Sequence, residues 1–161
     1  MLSEQYFILT IVNFKYFNSF YHLEMHNQMP QEIEVWYIIP AIRRELTKSM
    51  IELGLTQKRV AERMELTEAA VSQYLSSKRA KEVSFSNAVL NEIKKSAKRI
   101  VENKENLVSE MVRLTALTSV KHVMCDLHKK QDANLPNGCN ICFEGDLISM
   151  MTKTSKVQNN G

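Results

Sequence analysis

The sequence predicts an all-α fold, and two observations carry that prediction. From about residue 29 to residue 123, apolar residues recur at three- and four-residue spacing, and no alternating run is long enough to make a convincing strand. Helix punctuation accompanies the period: Thr56, Thr67 and Ser84 or Ser86 stand where a side-chain oxygen accepts a free first-turn N–H, and Gly54 supplies a stop.

Taken in order, the first periodic segment is ordered from Glu32. Pro40 is expected in the first turn of its helix, where the missing N–H does no harm. Ile39, Ile42, Leu46, Met50 and Leu53 form the inward stripe, with Trp36 and Tyr37 packing over it as core or rim. Two short helices follow, one from Thr56 with Val60, Ala61 and Met64 inward, the next from Thr67 with Val71, Tyr74 and Leu75 inward; Leu66 anchors the turn between them. A helix to about Glu102 carries Val89, Leu90, Ile93, Ala97, Ile100 and Val101 on one face and Lys94, Lys95, Lys98 and Arg99 on another. The run ENKEN at 102–106 reads as a bend or short linker. One long helix over roughly 107–123 then presents Leu107, Met111, Leu114, Leu117 and Val120, a face suited to a bundle partner or a dimer seam.

The 161 residues divide into an N-terminal extension (1–28), a helical domain (29–104), a further helix with a Cys/His-bearing loop lobe (105–150) and a tail (151–161) expected to be disordered. The extension holds seven of the chain's 12 aromatics. The readings that stay open for it are a start assigned too early, with Met29 the true one, a frayed amphipathic helix, or an added dimer contact. The run FILTIV at 7–12 is far short of the ~18 apolar residues that span a membrane. Net charge is only +3, but its distribution is uneven. Pro40 to Lys104 holds 14 Lys/Arg against 8 Asp/Glu, six positive; the remainder has 7 against 10, three negative. A basic half beside an acidic remainder suits a nucleic-acid face with a separate regulatory end. Three cysteines, an odd number within 125–142, argue against a secreted disulfide framework and for a reducing cytoplasm.

The stretch TQKRVAERMELTEAAVSQYLSSKR at 56–79 is the most informative part of the chain. Small Ala61 lets two helices cross closely, and Glu68 suits the positive end of the second helix. The outer face of that helix is then Thr67, Glu68, Ala69, Ser72, Gln73 and Ser76. Short and amide side chains of this kind approach base edges in a major groove: Gln73 is suited to bidentate pairing with adenine and Ala69 to contact with a thymine methyl. Gln57, Lys58, Ser77, Lys78, Arg79 and Lys81 flank it where phosphates lie, giving salt-dependent affinity with little sequence information.

With Gln57, Ala61, Val71 and Tyr74 at its signature positions, this stretch resembles the repressor-type (Cro-like, XRE) helix-turn-helix family. It departs at the turn, where Glu65 replaces the usual glycine and must take a left-handed or otherwise adjusted backbone at a cost of about 1 kcal/mol. EVWYIIPAIRREL ahead of the motif and the Cys/His residues behind it extend the resemblance, from about Met29 to Cys142, to XRE-type regulators common in archaea. The resemblance implies a repressor-like helix-turn-helix bundle that reads operator DNA.

The late cluster is Cys125-x2-His128, ten residues, then Cys139-x2-Cys142. Pairs with two residues between them let both ligands face one ion, and Pro136-Asn137-Gly138 offers the turn that the second pair needs. Three thiolates and an imidazole match a closed zinc site with bonds of ~2.0–2.3 Å. The same donors also hold an iron–sulfur cluster, and spacing does not separate the two. His122 is expected on a helix surface.

These readings converge on a cytoplasmic, homodimeric, sequence-specific regulator that binds double-stranded operator DNA, with a zinc or iron–sulfur centre ordering or switching the dimer. No nucleophile–base pair, carboxylate pair or phosphate-cradling glycine loop is present to carry catalysis, and neither a membrane nor a small-molecule substrate is expected. The competing classes are a non-catalytic helical interaction module with a structural zinc lobe and a thiol redox enzyme using Cys139 and Cys142.

Overall fold

The computed structural model describes residues 28–144. The aromatic-rich stretch up to residue 27, FILTIV included, and the tail from residue 145 lie outside the described residues. Among the described residues every regular element is helical: α1 (Pro30–Ile33), a π-helical turn (Glu34–Ile38), α2 (Ile39–Glu52), α3 (Gln57–Met64), α4 (Glu68–Leu75), α5 (Asn87–Val101), α6 (Leu107–Thr115), α7 (Thr118–Gln131) and α8 (Ile141–Glu144). None of these helices is long and apolar enough to cross a membrane.

Pro40 lies in the first turn of α2, as expected, and helical backbone also precedes it, beginning ten residues earlier. Pro30 occupies the start of α1, and the Glu32 carboxylate accepts the Met29 N–H at 2.8 Å. The dihedrals stay right-handed through the π turn, where the Ile39 N–H reaches back to the Glu34 carbonyl. The extra residue in that turn has a physical reason. Pro40 lacks an N–H to give to the Trp36 carbonyl and its ring would strike it, so a wider turn opens the space. Tyr37 packs against the core, and Trp36 is 44% exposed.

The core is centred on α2, which packs against α3, α4, α5 and α6. Ile42, Leu46 and Met50 are fully buried with Val60, Met64, Val71, Ile93 and Leu114. Leu53, expected in the same stripe, is 47% exposed because α2 ends before it, at Glu52. At that end Gly54 adopts φ +92°, and the Gly54 and Leu55 N–H groups close on the Ile51 and Met50 carbonyls.

The late helix is broken. α6 stops at Thr115 and α7 starts at Thr118, separated by Ala116 and an extended Leu117. The apolar stripe runs across the break because Leu114, half-buried Leu117 and Val120 all still reach the core. α6 is tied to α5 by an ionic cluster around buried Glu110. The Glu110 carboxylate, with a side chain only 3% exposed, accepts from Arg99 (2.5 and 2.8 Å), Ser96 (2.5 Å) and Arg113 (3.0 Å). The Arg99 guanidinium, helped by Ser96 and Arg113 against the opposing effect of burial, holds the Glu110 carboxyl down at about 2. α7 packs against α1, the π turn and α8, so the same apolar core runs from Ile33 to Cys142.

Candidate nucleic-acid interface

Both short helices of the central stretch form with the caps expected of them. Thr56 Oγ1 accepts from the Arg59 N–H at 3.3 Å, and Thr67 Oγ1 from the Ala70 N–H at 3.2 Å. Between the helices Glu65 is left-handed, at φ 52° and ψ 47°. Its N–H meets the Glu62 carbonyl (3.5 Å) and the Leu66 N–H meets the Ala61 carbonyl (3.0 Å), the paired bonds of a left-handed helix end. Arg43, from α2, donates to the Met64 carbonyl at 3.2 Å and fixes the same corner.

α4 divides cleanly into two faces. Val71 and Tyr74 are buried and Leu75 half-buried against the body, whereas Thr67, Glu68, Ala69, Ser72, Gln73 and Ser76 are all exposed. Gln57 and Lys58 are exposed at the start of α3, and Ser77, Lys78 and Lys81 follow α4 in the exit loop. Arg79 differs from the other flanking cations. It is half-buried, with its guanidinium 5.3 Å above the Tyr74 ring, so the ring fixes where its charge sits.

The exit loop carries two left-handed residues, Ser77 (φ 54°) and Ala80 (φ 57°). Ser77 and Lys78 close α4 through N–H bonds to the Tyr74 (3.2 Å) and Gln73 (3.1 Å) carbonyls. Val83 is buried and Phe85 packs on the core, anchoring the far end before Ser86 caps α5. Arg44, which no periodicity or motif spacing singles out, is buried beneath this loop. Its guanidinium donates to the Ala80 carbonyl, to the Val83 carbonyl (2.9 Å) and to the Glu45 carboxylate (2.6 Å).

The Cys/His residues sit differently from the loop lobe expected for them. Cys125 and His128 lie three apart on α7, so both face inward from one helix and both are buried. Cys142 is buried on the short α8 and Cys139 is half-buried, after a Pro136–Cys139 turn closed at 3.0 Å with Gly138 at φ +83°. The Cys142 thiol is pushed up to about 11, first by burial and then by the Cys125 thiol hydrogen-bonded to it and by Cys139 nearby. His128 Nε2 is buried with no hydrogen-bond partner. No three Cys, His, Asp or Glu side chains among the described residues are gathered at coordinating geometry. His122 is exposed on α7, its ring 4.7 Å from that of Phe143.

No family model, curated protein or solved structure matches the chain.

Proposed function

We propose that this chain is a sequence-specific DNA-binding transcriptional regulator of the helix-turn-helix kind, acting as a homodimer on double-stranded operator DNA. One observation carries the reading: the outward residues of α4, Thr67, Glu68, Ala69, Ser72, Gln73 and Ser76, are all exposed and mostly small or polar, while Val71 and Tyr74 hold its other side to the body. Such a helix can enter a major groove with Gln73 and Ala69 towards base edges and with Gln57, Lys58, Lys78 and Lys81 towards phosphates. Two copies would read half-sites about 34 Å apart. The test is a binding selection from randomised duplexes, followed by titrations of two variants. Gln73→Ala is expected to cost about 1–3 kcal/mol and relax preference at one base position, while Lys78→Ala weakens all duplexes alike and flattens the salt slope by about one. Wild-type affinity for every duplex in both variants overturns the proposal.

The proposal extends to Cys125, His128, Cys139 and Cys142 as ligands of a zinc ion, with an iron–sulfur cluster the other outcome of the test. In support stand the unpartnered buried Nε2 of His128 and the Cys125 and Cys139 thiols acting on Cys142, donors whose chemistry suits either centre although they are not gathered at coordinating geometry. A closed zinc centre supplies folding energy, and here it would hold α7 to α8 and set the dimer geometry. Anaerobically purified protein should be colourless with one zinc per chain; brown protein with iron and sulfide selects the cluster, and metal-free protein overturns this part. Val108 and Val112, exposed one turn apart on α6, favour the interaction module as the second reading. That module predicts no steep salt dependence of DNA binding and no effect of changing Gln73.

A further inference from the structure

We infer that Arg44 is a positioning residue for the phosphate contacts: its guanidinium holds the basic loop after α4 so that Lys78 and Lys81 are set before DNA arrives. The inference rests on the DNA-binding reading and adds a residue that touches no DNA itself. Lys78 and Lys81 are exposed and belong to no regular element, so they would ordinarily lose conformational freedom on binding. The loop that carries them, however, is tied at both ends and in the middle. The left-handed Ser77 closes it onto α4, buried Val83 anchors it on the core, and Arg44 takes the Ala80 and Val83 carbonyls together. Glu45 occupies Arg44 Nε, which aims the remaining donors at the loop. A planar fork of fixed donors suits two carbonyls three residues apart; the single ammonium of lysine does not reproduce it. The tie is also long-range, joining α2 to a segment 36 and 39 residues later.

Two variants cut the tie from opposite sides. Arg44→Lys keeps the charge but loses the fork. Ala80→Pro forbids the left-handed φ, turning the carbonyl away from Arg44, and lies in a loop, so it keeps the test open if the buried substitution fails to fold. DNA affinity is measured against salt for wild type, each variant, Lys78→Ala, and each variant combined with Lys78→Ala, at temperatures where circular dichroism shows all to be folded. Each variant is expected to flatten the slope of log affinity on log salt by about one to two, the contribution of one or two phosphate contacts. Adding Lys78→Ala to either variant should then change the slope little, because Arg44 acts through that lysine. If wild type binds with a steep slope and Lys78→Ala flattens it, but folded Arg44→Lys and Ala80→Pro keep the wild-type slope, the positioning role is overturned alone. If wild type shows no salt-dependent DNA binding, the DNA-binding reading fails and takes this inference with it.

Discussion

Replacing Glu110 with glutamine removes a charge that ties α5 to α6, and the cost of doing so depends on pH in a defined direction. The carboxyl is held at about 2 against an ordinary 4.5, so the folded state favours the ionised form over the unfolded state by about 3 kcal/mol. Arg99 and Arg113 remain 33% and 36% exposed, and solvent screening trims the expected cost of Glu110→Gln at neutral pH to about 2 kcal/mol. Because the folded pKa is depressed, this stability is fully present above 4.5 and is lost as pH falls from there through about 2. Urea denaturation of both proteins at a series of pH values, followed by circular dichroism, reads the difference directly. The gap should be widest near neutrality and narrow towards pH 2, where wild-type Glu110 is itself half protonated. A gap that stays constant across that range, or is absent at pH 7, refutes the assignment of the stability to the ionised carboxylate.

Glu65→Gly should stabilise the protein by about 1 kcal/mol, since φ 52° strains a side chain and not glycine; an unchanged or lower urea midpoint counts against the left-handed turn. Thr67→Ala removes the cap on the Ala70 N–H and should cost about 1 kcal/mol, with Thr67→Ser recovering most of it. His128→Leu relieves an unpartnered buried nitrogen, so metal-stripped protein should gain about 1 kcal/mol while the stabilisation by added zinc disappears. A loss of stability in stripped protein, with the zinc effect intact, rules out His128 as a ligand.

The caps at Thr56, Thr67 and Ser86 and the inward residues of α3, α4 and α5 were readable because each depends on neighbours within one or two helical turns. The two faces of α4 follow from the same short-range pattern. The break between α6 and α7 was hidden, because Leu114, Leu117 and Val120 keep a helical spacing across it. Pro40 does lie in the first turn of its helix, but the helical run ahead of it, widened by a π turn, left no comparable mark. Arg44 carried no signal at all, since an arginine between Arg43 and Glu45 looks like solvated surface.

Periodicity and capping chemistry act over three or four residues, so helix identity and the polar outward side of α4 are written in the order of the amino acids. Arg44 beneath the exit loop, Glu110 between two arginines, and the inward turn of Cys125 and His128 from α7 towards the core belong to another level. Their partners or neighbours are brought close only when α2, α5, α6 and α7 pack, and burial and charge pairing have no meaning before that packing exists.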